Sequence, residues 1–157
     1  MQAQGTQIEA RAKAVIAEHI EREGPLLPIL HGMQDEFGCV PQETLPVIAE
    51  ALNLSRAEVY GVMTFYHDFR EQPAGRHVIK LCRAEACQSV GGDQIAAKLQ
   101  RLLGISFNET TADGSVTLDP IYCIGLCACA PAALVDGVPV GRLDDEALDE
   151  IVAEVRA

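Results

Sequence analysis

The sequence predicts an α+β chain: a small N-terminal helical bundle over residues 1–72, then a small α/β domain over residues 76–157. Three observations predict it. Apolar residues recur at helical spacing up to about residue 70. The period shortens to that of strands from residue 77. Between the two lies Glu71-Gln-Pro-Ala-Gly75, where Pro and Gly punctuate the chain. A length of 157 residues suits one domain or a small domain with a helical attachment, and an apolar share of 48% supplies a core.

In the first part, Thr6-Gln-Ile-Glu9 reads as a capping box, the hydroxyl accepting from the Glu9 amide while the Glu9 carboxylate reaches back. Ile8, Ala12, Val15, Ile16 and Ile20 follow on one helical face, and Gly24-Pro25 ends the run. A second helix spans 26–37, with Leu26, Leu27, Leu30, Met33 and Phe37 together and Gly38 as its stop. Residues 42–52 give a third, closed by Asn53. Ser55-Arg-Ala-Glu58 is a second capping box, opening a fourth helix that turns Val59, Val62, Met63 and Tyr66 inward. Short helices with tight breaks bury their apolar stripes most simply as a bundle.

In the second part, His77-Val-Ile-Lys-Leu-Cys82 reads as a buried strand that delivers Cys82 at its end. Gly91-Gly92 leads into a helix over 93–103 carrying Ile95, Leu99, Leu102 and Leu103, with Gly104 past its end. Asp113-Gly114 joins two β-leaning stretches, 107–112 and 115–119, as a hairpin. Ala133-Leu-Val135 and Val138-Pro-Val140 make another around Asp136-Gly137, with Pro139 suited to an edge strand. Asp144 caps a last helix with Leu148, Ile151, Val152 and Val155 on its apolar face. A strand and a helix followed by two hairpins and a last helix is the order of a small α/β sandwich.

The net charge is −11, and both halves are acidic: 5 basic against 11 acidic residues up to residue 75, and 7 against 12 after it. No Lys/Arg cluster offers the concentrated positive charge that a phosphate backbone requires, so no nucleic-acid partner is expected. No apolar run of membrane-spanning length is present. The polar Met1-Gln-Ala-Gln-Gly-Thr6 lacks the blocks of a signal peptide. A cytoplasmic location follows as the expectation, and there grouped cysteines bind metal or do redox work more often than they form disulfides.

The cysteines carry the chemistry. Cys82-Arg-Ala-Glu-Ala-Cys87 holds one pair with four residues between; Cys123-Ile-Gly-Leu-Cys127-Ala-Cys129-Ala-Pro131 holds another with three between, and 35 residues separate the pairs. Thiolates in loop-borne pairs suit a soft metal centre. Both pairs are expected in loops just past strand ends, with Gly125 and Gly91-Gly92 giving the backbone room to turn amides toward sulfur. Three readings compete on spacing. A [2Fe–2S] cluster takes four thiolates and fits best. Structural zinc also takes four, though its knuckles are usually tighter. A thioredoxin-type dithiol wants Cys-x-x-Cys, which is absent, and Cys127-Ala-Cys129 is too close to replace it. No Ser/His/Asp constellation, P-loop or dinucleotide fingerprint is evident, so no catalytic residue is assigned.

Taken together, Cys82, Cys87, Cys123, Cys127 and Ala130-Pro131 follow a Cys-x4-Cys, Cys-x3-Cys, Ala-Pro pattern, and Phe37-Gly-Cys-Val-Pro41, Ser55-Arg-Ala-Glu-Val59 and Thr64-Phe-Tyr66 accompany it upstream. On these residues the chain resembles the thioredoxin-like [2Fe–2S] ferredoxins. Its likeness is to the 24-kDa-type subunits that accompany flavin subunits in respiratory complex I, bidirectional hydrogenases and soluble NAD-dependent formate dehydrogenases. Leu81-Cys-Arg-Ala-Glu-Ala-Cys-Gln88 and the third cysteine of the second loop resemble most the gamma subunit of the molybdenum- or tungsten-containing formate dehydrogenase. The resemblance implies a thioredoxin-like domain with Cys82, Cys87, Cys123 and Cys127 as ligands of a [2Fe–2S] cluster. It also implies a partner subunit holding FMN and the NAD site, and a further subunit holding the molybdenum cofactor.

Four other residues stand out. Cys129 reads as a packed thiol, a hydrogen-bond donor to the cluster or an alternative ligand, and Cys39 as a buried thiol. His67 reads as a helix-end or interface residue. Arg83 either tunes the cluster, pairs across a subunit interface, or is a solvated arginine.

Overall fold

Left-handed residues and side-chain caps set the breaks of the helical half. The computed structural model describes the backbone of residues 2–156 and the side chains of residues 7–156. Helices α1 (Gln2–His19) and α2 (Leu26–Phe37) are followed by a 3₁₀ turn, Gln42–Thr44, which runs into α3 (Leu45–Leu52), and then by α4 (Arg56–Phe65). Pro28 is tolerated in α2 because it lies in the first turn, where its missing N–H has no helical partner. Gly38 closes α2 at φ 74°, its amide donating to Gln34 O, and Asn53 closes α3 at φ 52°. Both halves of the Ser55 box are made: the Glu58 amide donates to Ser55 Oγ at 3.2 Å and the Ser55 amide to Glu58 Oε2 at 2.8 Å.

Two expectations for this half change. Helix α1 begins at Gln2, so Thr6 is inside it rather than at its start; the Thr6 side chain, and the predicted box with it, lies outside the described residues. Tyr66 is 44% exposed, not inward. The helix ends at Phe65, and Tyr66 at φ −92°, ψ 105° leaves the helical stripe. Ala12, Val15 and Ile16 of α1, Ile29, Leu30 and Met33 of α2, Ile48 of α3, and Val59 and Met63 of α4 share one core. Gly32 permits the α1–α2 approach, since a Cβ there would stand 2.7 Å from Val15 Cγ1.

The second half is a two-layer α/β arrangement. It comprises β1 (His77–Cys82), α5 (Glu85–Ser89), α6 (Gly92–Leu103), β2 (Glu109–Thr110), β3 (Val116–Ile121), a 3₁₀ turn Cys127–Cys129, β4 (Ala133–Val135), β5 (Val138–Val140) and α7 (Asp145–Val155). Among the described residues one five-stranded sheet forms, in the order β2-β3-β1-β4-β5. The β1–β3 pair is parallel, joined through α5 and α6, while the other three pairings are antiparallel. Ile79 and Leu81 of β1 and Val116 and Leu118 of β3 alternate onto one face. There they pack with Ile95, Leu99 and Leu103 of α6 and Leu148, Ile151 and Val152 of α7. Pro139 sits on edge strand β5, where no further strand needs its amide. Asp144 caps α7 by accepting from the Ala147 amide at 2.9 Å.

The chain divides into two compact units, Met1–Pro73 and Ala74–Ala157. Each has its own apolar core. Among the described residues no helix is long and apolar enough to cross a membrane.

Candidate metal centre

Strand order brings the cysteine segments together. Because β1 and β3 run parallel and in register, Cys82 and Ile121 end level with one another. The carboxyl ends of parallel strands are where α/β folds place their sites. Strand β4 lies on the other side of β1. Residues 122–132, which connect β3 to β4, therefore have to arch over the end of β1 and over Cys82. The arch is tied down: the Cys82 amide donates to Ala132 O at 3.0 Å, and the Arg83 amide to Ile121 O at 2.7 Å.

All four predicted ligands lie at this end of the sheet. Cys82 is the last residue of β1 and is buried. Cys87 is also buried, but it sits in helix α5, where a loop was expected. Cys123 and Cys127 are exposed on the arch, with their sulfurs 3.7 Å apart. Cys123 has φ 74° and Gly125 φ 80°; two left-handed residues so close together fold the arch back on itself. Cys82, Cys87 and Ala132 form a small buried cluster lined by Ala84, Ile121, Ile124, Leu126 and Ala130.

Hydrogen bonds favour charge on Cys82. Burial opposes its ionisation, but amides of Ala84, Cys123 and Ile124 and the Cys87 thiol all donate to its sulfur, and together they hold its pKa below that of an ordinary thiol. Burial pushes the Cys87 thiol up, and its neighbour Cys82 adds to the effect. Cys127 is raised chiefly by its hydrogen bond and charge interaction with Cys123. The charge of Cys82 is felt at Cys127, and the charges of Cys82 and Cys127 are both felt at Cys87, so the two pairs form one electrostatic group.

The donor set fits a [2Fe–2S] cluster. Two sulfurs each bonded to one tetrahedral ion at about 2.3 Å stand roughly 3.8 Å apart, close to the 3.7 Å between Cys123 and Cys127. Among the described residues no three His, Cys, Asp or Glu side chains surround one metal position; the thiols stand as pairs. The buried sulfurs meet backbone amides, and the pocket walls are apolar.

The supporting residues were only partly legible. Gly91 takes φ 96°, the freedom expected of it. Gly92 has a different role: a Cβ there would stand 2.5 Å from the Cys87 carbonyl oxygen, so only glycine lets α6 begin against α5. Arg83 is no solvated arginine. Its guanidinium reaches Gly92 O at 3.1 Å and Asp93 Oδ1 at 2.7 Å and lies over the Phe107 ring at 5.6 Å. Gln88 and Asp93 carried no signal in the sequence; Gln88 Nε2 donates to Arg83 O at 2.7 Å.

The remaining thiols are placed differently. Cys129 is half-buried, and a Cβ on Gly141 would stand 2.8 Å from its Cβ, so it packs against the strand-to-helix loop. Cys39 is buried in the other unit, where burial and then Glu43 push its thiol up. His67 is exposed.

The chain is similar to known proteins. Over 104 residues the chain is 40% identical to an NADH-quinone oxidoreductase subunit of Pseudomonas aeruginosa, covering 66% of this chain and 63% of that one. It is 33% identical over 134 residues to NADP-reducing hydrogenase subunit HndA of Solidesulfovibrio fructosivorans, covering 85% and 78%. The crystal structure of an NAD+-reducing [NiFe]-hydrogenase in the H2-reduced state superposes with a TM-score of 0.69 at 25% identity, over 81% of this chain and 22% of that chain. The chain thus spans under two thirds of the Pseudomonas relative's length and about a fifth of the hydrogenase chain's. The thioredoxin-like [2Fe-2S] ferredoxin pattern matches residues 12–156. With nearly its whole length matched and both thiol pairs at the end of the sheet, the chain belongs to the thioredoxin-like [2Fe-2S] ferredoxin family.

Proposed function

We propose that this chain is the one-electron carrier of a soluble, cytoplasmic NAD-linked oxidoreductase, with Cys82, Cys87, Cys123 and Cys127 as the cluster ligands. The observation that carries the reading is the meeting of two thiol pairs where β1 and β3 end in register. When bound, the cluster supplies a centre that takes up and returns single electrons. The chain's residues do the rest. Amides of Ala84, Cys123 and Ile124 soften negative charge on Cys82, while Ile121, Ile124 and Leu126 limit water on the buried side. The exposed Cys123 and Cys127 leave the opposite side open to a redox partner. Pairs suit two irons better than one tetrahedral zinc.

In the finer reading this is the gamma subunit of a molybdenum- or tungsten-containing, NAD-dependent formate dehydrogenase. Support comes from Cys82-Arg-Ala-Glu-Ala-Cys87 and the third cysteine, Cys129. A partner subunit would hold FMN and NAD, and a larger one would oxidise formate at its metal cofactor. Hydride transfer moves two electrons and a cluster takes one, so an acceptor beside a flavin is chemically sensible. The equivalent subunit of complex I or of a bidirectional hydrogenase is the second reading, favoured by the relatives named above. We assign residues 76–157 as the cluster domain and residues 1–72 as the element that docks the flavin subunit. An apolar groove of about 430 Å³ along Leu26, Leu27, Leu52, Leu54, Val62 and Tyr66 supports that docking role.

Isolation of the chain with its native partners tests both levels. Two irons per chain, visible charge-transfer bands and a paramagnetic signal after one-electron reduction are expected. Colourless protein with stoichiometric zinc, oxidative cluster loss having been excluded, would refute the carrier. Molybdenum or tungsten and formate-dependent NAD reduction in the isolate support the finer reading, and a quinone-reducing or hydrogen-oxidising isolate replaces it.

A further inference from the structure

The backbone amide, the backbone carbonyl and the guanidinium of Arg83 are all engaged around the first thiol pair. Its amide donates to Ile121 O at 2.7 Å, which fixes the residue after Cys82 to the end of β3. Its carbonyl accepts from Gln88 Nε2 at 2.7 Å, which fixes the residue after Cys87 back onto it. Its guanidinium donates to Gly92 O at 3.1 Å and to Asp93 Oδ1 at 2.7 Å. Gly92 in turn packs so closely on Cys87 that a Cβ would stand 2.5 Å from the Cys87 carbonyl. Arg83 and its contacts thus close a ring through Gln88, Cys87 and Gly92. Its side chain is 22% exposed and covered on one side by the Phe107 ring, 5.6 Å away. A planar fork can satisfy two acceptors while stacking on an aromatic ring; an ammonium cannot do all three.

Charge is arranged as deliberately as geometry. A cationic side chain beside two thiolate ligands would favour added negative charge on the cluster. Asp93, in the first turn of α6, cancels that cation locally and also suits the positive end of the helix.

We propose that Arg83 is the positioning residue that holds Cys82 and Cys87 at ligating geometry, and that Asp93 neutralises its charge so that the pair fastens the site without shifting its potential. The inference rests on the reading that Cys82 and Cys87 hold the cluster. The Arg83 fork restrains both ligand-bearing segments at once, so its loss loosens the site even when the charge is kept. Removing either partner alone leaves one uncompensated charge near the cluster, with opposite signs in the two cases.

The test uses the full chain with its cluster and compares Arg83→Lys, Arg83→Gln, Asp93→Asn and the double variant Arg83→Gln/Asp93→Asn. Two quantities are measured at low ionic strength, where screening is weakest: the rate of visible-band loss to a chelator, and the midpoint potential by spectroelectrochemistry. Arg83→Lys is expected to lose its cluster about tenfold faster than wild type, the scale on which supporting hydrogen bonds govern metal retention. Arg83→Gln should lower the potential, Asp93→Asn should raise it, and the double variant should return to the wild-type value. Wild-type retention in Arg83→Lys, or single-variant potentials that move together or not at all, overturns the proposal alone. A wild-type chain that takes up no iron overturns the cluster reading and this proposal with it.

Discussion

A Cβ on Gly92 would stand 2.5 Å from the carbonyl oxygen of Cys87. This contact is tighter than any real side chain tolerates, and it lies directly behind a proposed ligand. Gly92→Ala must push α6 away from α5 and move Cys87. We expect iron content and visible absorbance to fall by more than half, alongside a lower melting temperature. Gly61 is the control, because a Cβ there meets nothing within 4 Å. Gly61→Ala, mid-helix in α4, should stabilise by about 0.5–1 kcal/mol and leave the spectrum unchanged. Equal effects from the two substitutions would contradict the packing argument.

The thiols should differ in reactivity and in need. In the metal-free chain, Cys123 and Cys127 are exposed, whereas Cys39, Cys82 and Cys87 are buried. Timed alkylation followed by peptide mass mapping should label the exposed pair first, with Cys39 reacting only on unfolding. Cys87→Ser should impair cluster assembly, while Cys39→Ser should leave the visible spectrum intact.

Acid should loosen the β4–β5 hairpin. Asp136 accepts from His77 Nδ1 at 2.7 Å and from the Val78 amide at 2.7 Å. Burial opposes its ionisation, yet the His77 and Val78 hydrogen bonds outweigh it and hold its carboxyl below the usual value. A group whose pKa is lower in the folded state stabilises above its unfolded pKa, about 4, and that stabilisation is lost as pH falls through the folded value. Melting temperature followed from pH 6 to pH 2 should therefore drop less steeply in Asp136→Asn than in wild type. Parallel profiles would show that the ion pair contributes nothing, as many exposed pairs do.

Helix caps and core residues should separate by magnitude. Ser55→Ala removes the acceptor for the Glu58 amide and should cost about 1 kcal/mol by denaturant titration. Leu118→Ala empties a fully buried position between the sheet and its helices, and should cost about 2–5 kcal/mol.

Much of the fold was legible because local rules set it. Gly38, Asn53, Ser55, Gly104 and Asp144 end or begin helices where their chemistry said they should. Asp113-Gly114 and Asp136-Gly137 turn the two hairpins. The misreadings had non-local or competing causes. Tyr66 fits the apolar stripe of α4, but the helix stops one residue before it. The five residues of α5 are too few to show a period, and their helix is braced by Gln88 reaching back to Arg83. Gly92 read as a source of backbone freedom and proved to be a close contact, because the atom it must avoid belongs to Cys87.

By itself the sequence offered the proposed donors: four thiols, paired by spacing, each pair near the end of a strand that periodicity reveals. It also settled the segmentation into helices and strands, since caps, turns and apolar periods act over a few residues. Only the tertiary structure decided that β1 lies between β3 and β4. That order forces residues 122–132 over Cys82 and makes two distant pairs into one site, one pair buried and the other open. Strand order follows from which apolar faces the packed helices cover, an energy spread over the whole core, so no single stretch of sequence records it.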